Sequence, residues 1–153
     1  MDKTQTVFFD FLKFCVGSST SVSSPLTEAE WKALFQMACK QALIGVLFDG
    51  LQRYVQNSDN GGKPGKELIL KWYAAYEQIR KQNERMNDSC VWASRKFEHA
   101  GFRNCILKGQ GLALLYPDPM SRMPGDIDIW LAGGRRKIID YVNRLCPGQV
   151  ERY

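Results

Sequence analysis

The chain has 153 residues, of which 44% are hydrophobic and 24% are charged, and its formal net charge is +5. This length suits one compact domain, and the composition excludes a collagen-like, disordered or membrane-spanning chain. Because the Lys and Arg residues are scattered along the sequence, the positive charge by itself does not indicate a nucleic-acid partner.

The first third of the chain predicts three helices. Between Phe8 and Val16, apolar residues recur every three or four positions, which is one face of a helix that ends at Gly17. Thr27 and Glu30 have the spacing of a capping box, in which each side chain bonds the other residue's backbone N–H at the start of a second helix. A third apolar stripe marks the next helix: Leu43, Leu47, Leu51 and Tyr54.

A long helix comes after a break in the chain. Residues 57–65 are rich in Gly and Asn and separate the first three helices from the fourth. Over residues 68–97 a helical stripe then continues for about eight turns, until Gly101 supplies a stop. The stripe has one polar gap, at Gln82 and Asn83. We expect this helix to be the spine of the domain.

The last fifty residues predict two strands and two helices, in the order strand 105–107, helix 111–116, strand 127–131 and helix 137–145. The fold class predicted is therefore α+β. A mainly helical N-terminal region, residues 1–100, contains the long central helix and packs on a small mixed sheet. Residues 101–153 contribute that sheet.

The number and spacing of the five cysteines indicate whether the chain resides in a reducing compartment. Their number is odd and no two of them form a C-x-x-C pair, so neither a zinc site nor a closed disulfide framework is predicted. The apolar run of residues 7–16 is interrupted by Asp10 and Lys13 and is too short to span a membrane. We therefore expect a cytoplasmic protein with reduced thiols and no membrane partner.

Asp126 and Asp128 are the first candidates for chemistry. Because side chains alternate along a strand, the two carboxylates would point to one face about 7 Å apart. They would repel each other unless a divalent cation lay between them, and oxygen ligands favour Mg²⁺ or Mn²⁺. An exposed strand that merely carries two acids on its solvent face gives the same pattern, so the pair alone leaves both interpretations open.

A glycine turn, residues 108–111, precedes the two acids. Gly109 and Gly111 allow the backbone to approach a ligand closely, and the amides that come next would face a phosphate chain. Lys108 adds a positive charge beside them. An ordinary strand-to-helix turn that needs glycine for its dihedral angles is the alternative. The combination of this turn with a loop that contains Arg122 and a strand that carries two carboxylates favours the phosphate site.

This combination resembles the DNA polymerase β-like nucleotidyltransferase superfamily, and within it the uncharacterised bacterial nucleotidyltransferase family. The resemblance covers about residues 102–131, and its matching residues are Leu107, Lys108, Gly109, Leu112, Ala113, Tyr116, Arg122, Gly125, Asp126, Asp128 and Ile129. It implies a Mg²⁺-dependent or Mn²⁺-dependent transfer of a nucleoside monophosphate from an NTP such as ATP. The acceptor hydroxyl would belong to a small molecule, a protein or RNA.

The same resemblance implies a role for each site residue. Asp126 and Asp128 would be the catalytic residues and would hold the metal ions. The residues that would bind the triphosphate are Lys108, Gly109, Gly111 and Arg122. For Arg122, the structural alternative is an ion pair with Asp118 or with one of the two acids.

Two departures from the family pattern bear on activity. Gln110 stands where the superfamily commonly has a serine that binds phosphate. The third carboxylate of active members would lie beyond Tyr153, so we expect a truncated fragment with an incomplete active site. Two other functions stay open: a non-catalytic nucleotide-binding or interaction module with the same fold, and a D-x-D glycosyltransferase, which the helical first hundred residues disfavour.

Overall fold

The computed structural model describes residues 2–57 and 62–147, and within them it contains six α-helices, one short 3₁₀ helix and two strands. Their order is α1 (Lys3–Cys15), α2 (Glu28–Lys40), α3 (Ile44–Asn57), α4 (Lys66–His99), β1 (Asn104–Leu107), α5 (Lys108–Ala113), the 3₁₀ helix (Pro119–Ser121), β2 (Asp128–Leu131) and α6 (Arg135–Leu145). The prediction of an α+β fold is confirmed. Part of the predicted break, residues 58–61, and residues 148–153 of the predicted sheet region lie outside the described residues.

The helix ends agree with the sequence signals. Thr27 N donates to Glu30 Oε2 at 2.9 Å, and Glu30 N donates to Thr27 Oγ1 at 3.3 Å, so the predicted capping box of α2 is confirmed. The Thr27 N–H, with the Lys3 ammonium as the next largest cause, lowers the pKa of Glu30 to about 2. Gly17 and Gly101 adopt φ values of 77° and 79° just after α1 and α4, a backbone conformation that glycine adopts without strain.

The hydrophobic core lies among α1, α2, α3 and the first half of α4. Trp31 and Trp72 are completely buried in it. The ring of Phe11 meets that of Trp31 edge to face, with centroids 5.0 Å apart, and the indole N–H of Trp72 donates to the Ile44 carbonyl at 3.1 Å. The indole N–H is therefore satisfied while its ring is removed from water, which is the favourable way to bury a tryptophan.

Helix α4 joins this core to the rest of the molecule. Its first half places four apolar side chains in the core: Leu68, Trp72, Tyr76 and Ile79. Its second half packs against β1 and α5, so the expected spine is observed. None of the helices within the described residues combines the length and the apolar character needed to cross a membrane.

Strands β1 and β2 form an antiparallel pair, and in the described part of the chain this pair is the whole sheet. Leu107 pairs with Asp128 at one end of the ladder. Asn104 fixes the other end to α4, because its side chain accepts from Ser94 Oγ at 2.7 Å and donates to the Ser94 carbonyl at 3.1 Å. Helix α6 reaches the same region through Tyr141, whose ring lies 5.2 Å from that of Phe102.

Candidate functional site

The glycine turn leaves β1 through two successive residues with positive φ. Lys108 has a φ of 41° and Gly109 a φ of 21°. A Cβ atom on Gly109 would lie 3.1 Å from the Asp126 carbonyl oxygen, and one on Gly111 would lie 2.8 Å from the Ile106 carbonyl oxygen. The turn is therefore packed between β1 and the segment that carries the aspartates, and close backbone contact explains both glycines.

Helix α5 begins earlier than predicted. It spans Lys108–Ala113 with a kink at Gly109, whereas the sequence predicts a helix over residues 111–116. The residues after Ala113 continue in tighter turns, in which the amides of Leu115 and Tyr116 bond carbonyls three residues back. Lys108 and Gly109 themselves have positive φ values, so the chain reverses at the end of β1 and regular helical dihedral angles begin only after Gly109.

The acidic pair, Asp126 and Asp128, lies beside this turn. Strand β2 begins at Asp128, one residue later than predicted, because the chain opposite it has already turned away after Leu107. Asp126 therefore precedes the ladder, and the alternation of faces along a strand does not apply to it. It is exposed, whereas the side chain of Asp128 keeps 35% of its surface exposed and lies with Oδ2 3.6 Å from Lys108 Nζ.

Arg122 is held by its backbone. Its carbonyl accepts a hydrogen bond from Asn83 Nδ2 at 2.7 Å, and its guanidinium donates to the Met123 carbonyl at 3.0 Å. Asp118 pairs instead with Arg80, at 2.6 Å between Oδ2 and Nη1, so the alternative of an Arg122–Asp118 pair is wrong. Within the described residues, the structure brings Arg122 into contact with neither member of the acidic pair.

A buried polar network lies behind the glycine turn. Gln110 is 9% exposed, and its Nε2 donates to Asn87 Oδ1 at 2.7 Å and to Asn83 Oδ1 at 3.3 Å. Asn83 is completely buried and donates to the carbonyls of Met120 and Arg122. The sequence shows Asn83 only as a polar gap in an apolar stripe. That gap was the one signal that could have located the network.

A second polar cluster joins α3 and α4 to the 3₁₀ helix. Although burial opposes the ionisation of Asp118, the Met120 N–H and the Arg80 guanidinium hold the pKa of Asp118 below its usual value. Burial raises the pKa of Asp49, and the charge of Asp118 adds to this effect, while the Ser121 hydroxyl opposes it. The two carboxylates are thus unequal, because burial prevails at Asp49, whereas the Met120 N–H and Arg80 outweigh burial at Asp118.

A cleft of about 770 Å³ opens between α1, α3 and residues 115–118. Its walls are largely apolar and include Leu12, Val46 and Leu115, with Asp49 and Asp118 among the polar residues. Such a volume is typical of pockets for organic molecules. Neither the glycine turn nor the acidic pair lines this cleft, so the cleft and the acidic pair are separate features of the surface.

The acidic pair has donors that suit a hard divalent cation. In proteins, Mg²⁺ is commonly held by one or two carboxylates, with waters and substrate phosphates completing its shell, and Asp126 and Asp128 supply such oxygens. Across residues 2–57 and 62–147, no group of three or more His, Cys, Asp or Glu side chains could hold a metal. A divalent cation at the acidic pair would therefore need further oxygen ligands, from water or from a substrate.

The candidate site lies inside a region that matches a known family. A family model described as an uncharacterised nucleotidyltransferase matches residues 27–142, about three quarters of the chain. No curated protein and no solved structure matches the chain. The matched region begins at the N-cap of α2 and ends within α6, so it includes helices α2 to α4 as well as the glycine turn and the acidic pair.

Proposed function

Because the chain belongs to the family of uncharacterised nucleotidyltransferases, we propose that it transfers a nucleoside monophosphate from a nucleoside triphosphate, such as ATP, to an acceptor hydroxyl. Family membership supports nucleotidyl transfer in general. One observation carries the finer proposal: the glycine turn and the acidic pair lie against each other, with Gly109 facing the Asp126 carbonyl and Lys108 contacting Asp128.

In this proposal the two carboxylates bind the metal ion and orient it towards the phosphates. Asp126 and Asp128 would hold Mg²⁺ or Mn²⁺, which when bound supplies positive charge next to the phosphate oxygens. Asp128 is the more constrained of the two, since it lies in the ladder opposite Leu107. Asp126 is tied to the site through its backbone contact with the glycine turn.

Lys108 and the glycine turn would bind the triphosphate. The Lys108 side chain is 75% exposed and its contact with Asp128 is 3.6 Å long, so the ammonium group can move to a phosphate at little cost. Gly109 and Gly111 would let the turn lie close against its neighbours, and the amides that follow would face the phosphate oxygens. The acceptor oxygen would bond to the α-phosphorus as the bond to pyrophosphate breaks, and its proton would pass to solvent.

Nucleotide binding tests the acidic pair directly. The four ribonucleoside triphosphates are titrated by calorimetry into the wild-type chain with Mg²⁺, with Mn²⁺ and with EDTA. We expect metal-dependent binding that weakens by about tenfold or more in Asp126→Asn and in Asp128→Asn, a loss of at least about 1.4 kcal/mol. The matched control is Asp140→Asn, which removes an exposed carboxylate from α6 and should leave binding unchanged.

Two results would contradict the proposal. If the wild-type chain binds none of the four nucleotides with either metal, nucleotidyl transfer by this site fails. If it binds them equally well in both Asn variants, then the acidic pair is not the metal site. Transfer itself is measured as the release of pyrophosphate in the presence of candidate acceptors.

A non-catalytic nucleotide-binding module is the second candidate. One observation favours it: Gln110, at the position where the superfamily commonly has a phosphate-binding serine, donates into the interior to Asn87 and Asn83. This candidate predicts metal-dependent nucleotide binding without release of pyrophosphate on any acceptor. Release that depends on both Asp126 and Asp128 would exclude it.

A further inference from the structure

We infer that Gln110, Asn83 and Asn87 are positioning residues, which hold the glycine turn and the segment leading to the acidic pair in one fixed arrangement on helix α4. The inference rests on the proposed function, because it assigns a role to side chains behind the same site. In this role none of the three side chains touches the nucleotide.

The burial of Asn83 is the first observation. Asn83 lies one helical turn after Ile79 on the stripe of α4 that faces the interior, and its side chain is completely buried. An amide in such a place is unfavourable unless its polar atoms are hydrogen-bonded. An apolar residue would continue the stripe more simply, so the hydrogen bonds of Asn83 are the physical reason for an amide at this position.

Asn83 binds two segments that are distant in sequence. Its Nδ2 donates to the carbonyls of Met120 at 3.0 Å and Arg122 at 2.7 Å, just before the acidic pair. Its Oδ1 accepts from Gln110 Nε2 at 3.3 Å, within the glycine turn. One side chain of α4 therefore sets the spacing between the two halves of the candidate site.

Asn87 strengthens the contact on the side of the glycine turn. It lies one turn beyond Asn83 on the same face of α4, and its Oδ1 accepts from Gln110 Nε2 at 2.7 Å. Gln110 thus donates to both amides at once. Its own Oε1 is buried and finds no partner among the described residues, so the Gln110 side chain is bound only through Nε2 and loses its bonds if that donor is removed.

The turn needs such support because its backbone is strained. Lys108 has a positive φ, a conformation that residues with a Cβ atom adopt rarely and keep only where the surroundings impose it. Gln110 is two residues further along and carries the buried bonds to α4. The network is therefore the element that can hold Lys108 and Gly109 in place before any ligand binds.

Gln110→Met is the main test variant. Met has nearly the length of Gln and keeps the buried packing, but it removes the Nε2 donor. Gln82→Met is the matched control, since it makes the same change on the exposed side of α4. Both variants and the wild type are compared by amide hydrogen exchange without nucleotide, by thermal melting and by Mg²⁺–ATP titration.

We expect Gln110→Met to speed exchange at the amides of residues 108–113 by about tenfold while helices α1 to α3 keep their wild-type rates. ATP affinity should fall about three- to tenfold, and Gln82→Met should change neither measurement. Asn87→Ala, in which an exposed residue is truncated, should give a smaller effect of the same kind. Because both variants remove one shared bond, the double variant should resemble Gln110→Met alone.

The inference is overturned if exchange in the glycine turn stays at the wild-type rate, or if the effects of Gln110→Met and Asn87→Ala simply add. It is also overturned if exchange accelerates equally in all helices, which would mean a merely structural role. Failure of the proposed function is a distinct result, because the exchange measurement needs no nucleotide. If the wild-type chain binds no nucleotide, that measurement still decides whether the network holds the turn.

Discussion

Eighteen buried apolar side chains form one cluster that ends at Ile79, whereas among the described residues beyond Asn83 the buried apolar ones are Cys90, Phe102 and Ala113. We call residues 2–82 the helical region and residues 83–147 the strand region. Helix α6 has no fully buried residue, and Leu114 and Leu115 are 77% and 79% exposed. Different kinds of contact therefore stabilise each region internally: an apolar core in the helical region, and other contacts in the strand region.

The difference shows that the candidate site lies in a region that is ordered without a large apolar core. In the strand region, order comes from glycines in contact with backbone carbonyls, from the buried amides of Asn83 and Gln110, and from one short antiparallel ladder. Strand β1 and helix α5 both pack on α4. We infer that the strand region depends on the helical region for its fold, and that it opens more readily, as binding sites commonly do.

The largest effect is expected for Trp72→Ala. This change removes a completely buried indole and should lower the free energy of unfolding by about 3–5 kcal/mol. Because the strand region has no comparable core, both regions should unfold in one transition, measured by urea denaturation with circular dichroism. Trp92→Ala is the control on the same helix; its side chain is 63% exposed, and the change should stay within about 1 kcal/mol. If the strand region stays folded in Trp72→Ala when the helical region unfolds, then it does not depend on the helical region for its fold.

A smaller and local effect is expected for Gly111→Ala. The new Cβ atom would lie 2.8 Å from the Ile106 carbonyl oxygen, so the turn or β1 must shift, at about 1–3 kcal/mol. Amide exchange should rise in residues 104–113 and remain unchanged in α1 to α3, and ATP binding should weaken. Gly134→Ala serves as the control, because nothing lies within 4 Å of its added Cβ. Equal effects of the two variants would refute the role given to close packing at the turn.

The smallest effect is expected for Asp49→Asn, at the contact between α3 and the 3₁₀ helix. Burial raises the pKa of Asp49 above its ordinary value of 3.8, so the folded chain binds this proton more tightly than the unfolded chain. Stability contributed by the group is then lost as the pH rises through the raised pKa. Asp49→Asn should slightly raise the melting temperature at pH 7, and the gain should vanish below pH 3.8.

The control for this change is Asp88→Asn, which removes an exposed carboxylate from α4. It should leave the difference between the melting temperatures at pH 7 and at acidic pH unaltered. A melting temperature that falls at pH 7 in Asp49→Asn would mean that the carboxylate of Asp49 stabilises the junction of the two regions instead of weakening it.

Local signals predicted the helical region well. The capping box of Thr27 and Glu30 is present as expected, and the buried stripes of α1 to α4 match the apolar spacing. These signals act within three or four residues, so a single sequence contains them completely. The strand region was predicted less accurately: the helix predicted over residues 111–116 is observed as Lys108–Ala113 with a kink at Gly109, where the turn packs against the Asp126 carbonyl.

The candidate site was only partly predictable. Lys108 contacts Asp128, and Gly109 packs against the Asp126 carbonyl. Asp126 precedes the strand, so the predicted alternation of faces does not apply to it, and the roles of these residues stay predictions. Arg122 lies apart from the acidic pair, since its guanidinium turns to the Met123 carbonyl. The bond between Asn83 and Gln110 was missed because the two residues are 27 positions apart, and neither the polar gap nor the glycine turn shows that the two meet.

The sequence by itself determined where the helices and the glycine turn form and which two aspartates are candidates for a site. Hydrophobic periodicity, capping and glycine dihedral angles are properties of neighbouring residues, so a single sequence contains them. Tertiary structure alone decided which polar groups meet: Asp118 with Arg80, and Asn83 with Gln110 and the carbonyl of Arg122. The physical reason is that a buried polar atom must bond whatever the packing of helices brings within about 3 Å of it. That choice depends on the position of α4 across both regions, which no local pattern encodes.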